Sequence, residues 1–129
     1  MKTYYKVVIQ KQDGLLVSTS DAHDNPFKIV YEPNKWISST IGKIFVFGSL
    51  SAARLMFRQD CCGITYKIFK CQCKKPIKPS FKFIPDLTFT MATNIKCFWE
   101  FNNDIVGVMR WAVPESTYIC DAVKLTDEL

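Results

Sequence analysis

The stretch Lys43-Ile44-Phe45-Val46-Phe47-Gly48-Ser49-Leu50-Ser51-Ala52-Ala53-Arg54-Leu55-Met56-Phe57, closed by Cys61-Cys62-Gly63, decides the fold. Its first part is a short apolar run between Gly42 and Gly48, the pattern of a strand covered on both faces. Ser49 stands where an N-cap is needed, with an oxygen that can accept from the first unpaired amides of a helix. Leu50, Ala53, Met56 and Phe57 then recur at spacings of three and four, so one apolar stripe forms with Arg54 and Arg58 beside it. Gly63 is placed to take the left-handed turn that ends a helix. The spacing therefore predicts strand, cap, helix and terminating glycine in immediate succession.

Upstream, residues 4–10 are rich in Tyr, Val and Ile and read as a strand. Asp13-Gly14 is a two-residue turn signal that returns the chain through 15–19. Short runs at 27–31 and 35–37 are separated by Glu32-Pro33-Asn34. Downstream, 64–73 reads as a long strand, and 74–85, with Pro76, Pro79 and Pro85, reads as an extended crossing. A second hairpin is expected from 96–101 and 105–113 around Asn102-Asn103-Asp104, and the last strand from 117–125. These elements predict one globular α+β domain over 1–129. Its sheet is curved, mainly antiparallel and made of six to eight short strands, with one principal helix (about 49–60) packed on it.

The chain has 129 residues, 48% hydrophobic and 14% aromatic, enough to build a core. No run approaches the length of a membrane-spanning helix. The N-terminal residues lack the apolar stretch and small-residue cleavage site of a secretory signal. A cytoplasmic setting is expected, in which the six cysteines (61, 62, 71, 73, 97 and 120) stay as thiols and pack as small hydrophobes.

Net charge is +5, and its distribution is uneven. Lys67, Lys70, Lys74, Lys75, Lys78 and Lys82 fall between 61 and 85 with no acid among them, whereas Asp121, Asp127 and Glu128 crowd the C-terminus. The lysines form the candidate binding surface, for an anionic ligand or a protein partner. Trp36, Trp99 and Trp111 are candidate aromatic anchors where exposed. Nucleic acid is a candidate partner because Tyr66, Phe69, Phe81 and Phe83 interleave with the lysines. Ser49 is a candidate anion contact beside its capping role.

Catalytic and metal patterns are weaker. Adjacent Cys61 and Cys62 point apart, and Cys71-x-Cys73 lacks the spacing of a structural zinc knuckle, so no metal and no cofactor are expected. His23 is the only histidine and has no local nucleophile signature near it. Glu100, Asp104 and Glu115 surround the second hairpin without a spacing that brings them together. The residues themselves favour a non-enzymatic binding protein. An enzyme acting on nucleotides or nucleic acid through an acidic site is the alternative.

Four segments, YKVV at Tyr5–Val8, LLVS at Leu15–Ser18, VFGSLSAARLMF at Val46–Phe57 and VPESTYICDAVKLTDEL at Val113–Leu129, together resemble small, mostly uncharacterised α+β proteins of phages and bacteria. That resemblance implies a fold type and a phage or mobile-element accessory role, and it assigns no active residue. A more distant similarity to small ADP-ribosyltransferase-like sheets would imply an NAD-dependent transferase. In such sheets the first strand carries an arginine or histidine, where this chain has Tyr5 and Lys6.

Overall fold

A computed structural model describes residues 2–18, 29–39, 42–56, 65–80, 83–85, 99, 110–113 and 115–129. In chain order the elements are β1 (Tyr4–Gln10), β2 (Leu16–Val17), β3 (Val30–Tyr31), β4 (Trp36–Ser38), β5 (Ile44–Phe47), α1 (Leu50–Met56), β6 (Thr65–Lys74), β7 (Phe83–Pro85), β8 (Arg110–Ala112), β9 (Thr117–Cys120) and β10 (Ala122–Glu128). Every pairing among them is antiparallel.

The sheet curves almost into a ring, because β1 and the divided final strand each serve three partners. One edge of β1 pairs with β6 along its whole length. Its other edge meets β2 near Ile9 and β5 at Tyr5. The expected last strand is divided at Asp121: β9 pairs with β5, and β10 pairs with β6 and β4. The chain bend at Asp121 thus links the β5 side of the sheet to the β6 side. Curvature of this kind leaves an inner face that only side chains can fill.

Alternation does the sorting. Tyr4, Val8, Ile44, Val46, Phe69, Cys71, Cys120, Val123 and Leu125 share the inner core, joined by Leu16 and Tyr31. Val7 and Phe47 point to the outer face, where Ala53 of α1 packs on them with Tyr66 and Ile68 alongside. The helix starts as expected: the Ala52 amide donates to Ser49 Oγ at 3.2 Å. The expected end at Gly63 lies outside the described residues.

Three local expectations change. The first hairpin closes through a three-residue loop, not a two-residue one: the Lys11 amide donates to the Leu15 carbonyl and the Gly14 amide to the Lys11 carbonyl. Gly14 has φ +88°, the left-handed residue that follows a type I turn in such loops. The crossing at 74–85 contains strand β7, whose partner is β8. Residues 110–112 therefore pair with 83–85, and the 96–101 partner expected for them lies outside the described residues except for Trp99. The main sheet has eight described strands, within the six to eight expected, and β7 and β8 form a separate two-stranded sheet.

Candidate functional site

The six candidate lysines do not share one surface. Odd positions of β6 point inward with Phe69 and Cys71, and even positions point outward with Ile68. Lys67 is odd, half-buried, and its Nζ lies 3.7 Å from Glu128 Oε2. Lys70 and Lys74 are even and exposed on the outer face. Lys75 follows the strand with φ 52° and is exposed. Lys78 donates to the Glu115 carbonyl and lies 4.6 Å from the centre of the Tyr118 ring, which Lys2 approaches at 4.8 Å. Lys82 lies outside the described residues.

What the outer face does assemble is a different group. β6, β10 and β4 are consecutive in the sheet, and their register places Gln72, Lys124 and Trp36 in one cross-strand row. Lys74, Ala122 and Ser38 form the next row. Trp36 is 38% exposed, on the outermost strand of this path. Lys74 Nζ lies 4.6 Å from the centre of the indole and Lys124 Nζ 5.4 Å from it. Lys74 can reach across β10 because Ala122 carries only a methyl group there. Neither ammonium has a carboxylate partner among the described residues. Among the described residues both rest on the ring quadrupole, a contact that leaves their N–H groups able to donate to solvent or ligand.

Lys124 is the residue that sequence reasoning missed. Its clue was period-2 alternation with Ala122, but only the register of β10 against β6 and β4 shows that it faces Trp36. Of the other tryptophans, Trp99 is half-buried, with its ring centre 5.4 Å from that of Phe45. The Trp111 side chain lies outside the described residues.

Two of the four aromatics linked to nucleic acid, Tyr66 and Phe69, pack in the two core clusters. Phe69 is 5% exposed in the inner core, and Tyr66 packs beside the cluster under α1. Burial claims the Phe69 ring and covers part of the Tyr66 ring. Phe81 and the Phe83 side chain lie outside the described residues. Ser49 Oγ caps α1 and lies 3.2 Å from Ser116 Oγ and 3.4 Å from Ser51 Oγ, so capping and neighbouring hydroxyls engage it. Of the candidate acids, Glu115 is exposed, and Glu100, Asp104 and His23 lie outside the described residues.

Inside the sheet is a second polar group. Lys6 is 6% exposed and its Nζ donates to the Phe45 carbonyl at 2.9 Å, with the Tyr31 ring centre 5.8 Å away. Burial pushes its ammonium down to about 8, although Cys120, Cys71 and Cys73 act in the opposite direction. A hydrogen bond to Cys73, followed by burial, raises the Cys120 thiol well above its ordinary range. The Cys73 thiol is lowered by its bond with Cys120, but the bond to Cys71 and burial outweigh this and raise it. Protonated thiols of this kind are poor nucleophiles. Cys71, Cys73 and Cys120 are free thiols, and among the described residues no group of three or more His, Cys, Asp or Glu is arranged to hold a metal ion. Cys61, Cys62 and Cys97 lie outside the described residues. No described helix is long and apolar enough to cross a membrane.

Comparison of the chain with family models, with curated proteins and with solved structures finds no match.

Proposed function

We propose that this chain is a non-catalytic binding protein that takes an anionic ligand on the outer face of β6, β10 and β4. The observation that carries this reading is the pair of ammonium groups, Lys74 and Lys124, leaning on one exposed indole with no carboxylate partner among the described residues. A cation left without a counter-ion on a sheet face attracts anions and accepts their oxygens with little rearrangement. Lys70 extends the same face along β6, and α1 covers the neighbouring part of it over Val7 and Phe47. The accessory role in a phage or mobile element belongs to this proposal and rests on the sequence resemblance alone.

Titration with inorganic polyphosphate at rising salt tests the reading. Binding should weaken steeply with salt, each lysine–phosphate contact adding to the slope. The double substitution Lys74→Gln/Lys124→Gln should flatten that dependence and weaken binding at low salt by roughly tenfold or more. Lys67→Gln, which removes a cation from the other side of β6, should change binding little. No binding at low salt, or equal losses from both variants, would overturn the proposal.

A further inference from the structure

Resting on that anionic contact, we infer that its ligand is a single-stranded nucleic acid, with one unpaired base stacked on Trp36 and adjacent phosphates received by Lys74 and Lys124. A purely ionic ligand has no use for the indole. Trp36 nevertheless stands 38% exposed at the end of a strand path, where a flat group can slide over it without meeting a further described strand. Every nucleobase offers a π-face, and stacking on an exposed ring beside cations is how proteins hold single strands with little sequence preference. The two ammonium groups lie over the ring, 4.6 and 5.4 Å from its centre, so a base that replaces them on the indole brings its own backbone charge within reach of both.

The neighbouring side chains fit the same occupant. Gln72 continues the Trp36–Lys124 row and Ser38 the Lys74 row, which gives neutral hydrogen-bonding groups beside the cations. Lys70 is exposed on the same face two residues beyond Gln72, about 7 Å along the strand, but Asp127 stands opposite it on β10, so Lys74 and Lys124 carry the phosphate contact. A duplex suits this surface poorly. Its bases are stacked on one another, and groove readers present a helix or a two-stranded ribbon, whereas α1 has seven residues and packs on Val7 and Phe47. An acidic polypeptide would pair with the lysines and leave the indole unused.

Fluorescence titrations with four probes separate these cases: a single-stranded homo-oligonucleotide, an abasic deoxyribose-phosphate strand of equal length, a duplex, and polyglutamate. The intact single strand should bind tightest and quench tryptophan emission. Trp36→Phe should abolish most of the quenching while keeping most of the affinity. Trp36→Ala should weaken the intact strand by roughly tenfold and leave the abasic strand within about twofold. Circular dichroism of each variant checks the fold, and Lys74→Gln/Lys124→Gln should weaken the intact and abasic strands alike. If duplex or polyglutamate binds as tightly as the single strand, or if Trp36→Ala affects intact and abasic strands equally, base stacking is refuted while the anionic contact stands. If none of the four probes binds at low salt, the anionic contact itself is refuted.

Discussion

The Nζ of Lys6 lies 2.9 Å from the carbonyl oxygen of Phe45, on the inner side of the sheet and 94% shielded from solvent by its surroundings. An ammonium held by one carbonyl, one tyrosine ring and a group of thiols has lost most of its hydration. Its cost to the fold is legible as a dependence on pH.

That dependence has a definite sign. The unfolded chain holds the Lys6 proton up to the ordinary value of 10.5, whereas the folded chain releases it near 8. Between those values the unfolded state binds more protons, so stability rises with pH there, and below 8 the whole penalty is present. The raised Cys73 and Cys120 thiols act oppositely above their ordinary value of 9.0, because only the unfolded chain can then ionise them. Thermal unfolding midpoints should therefore stay level from neutrality to about pH 8, climb above it, and turn over once the thiol effect sets in above 9.0. Lys6→Met should remove the climb and gain up to roughly 3 kcal/mol at neutral pH, less what losing this donor costs the Phe45 carbonyl. A wild-type profile that falls steadily from neutrality upward would refute this account.

Tyr31 should tolerate loss of its hydroxyl. Its ring is in the inner core at 2% exposure, and its oxygen has no hydrogen-bond partner among the described residues. A buried hydroxyl without a partner contributes a desolvation penalty and no bond. Tyr31→Phe should leave the chemical-denaturation midpoint unchanged or raise it. A loss above about 1 kcal/mol would show that the hydroxyl is bonded after all.

Leu125 and Leu55 give a contrast in packing. Leu125 is 1% exposed in the inner core, and Leu55 is 69% exposed on α1. Leu125→Ala should cost about 2–5 kcal/mol through lost burial and a residual cavity. Leu55→Ala should stay within about 0.5 kcal/mol. Equal costs in urea unfolding would mean that residues outside the described set bury Leu55.

Gly42 and Gly14 separate strain from crowding. Both adopt positive φ, at +62° and +88°. A Cβ at Gly14 meets nothing within 4 Å, so Gly14→Ala should cost only the conformational penalty of about 1–2 kcal/mol. A Cβ at Gly42 would fall 2.1 Å from Cδ2 of Trp99. Gly42→Ala should cost more than Gly14→Ala and also change the near-ultraviolet signal of the displaced indole. A variant with unaltered aromatic ellipticity would count against the Trp99 placement.

Ser49→Ala should cost about 1 kcal/mol, the usual worth of an N-cap oxygen. Ser49→Asp should recover most of that loss by restoring an acceptor to the first turn. No loss in Ser49→Ala would show that the first turn of α1 finds its acceptor elsewhere.

Local chemistry alone determined the segment around Ser49: a bounded apolar run, a capping hydroxyl and a 3.6-residue apolar stripe are short-range constraints, and the strand, cap and helix start follow them. The same is true of β1 and β6, whose alternation fixes that Lys67 and Lys70, three residues apart, must face opposite ways. Only the tertiary structure decided which of those faces was inside, that the final strand changes partners at Asp121, and that Lys124 and Lys74 come to rest on Trp36. Those outcomes depend on register between strands separated by many residues, where one residue of slip would turn every side chain to the other face. A linear chain carries the alternation of each strand, but the pairing that converts alternation into a surface exists only once the sheet has curved on itself.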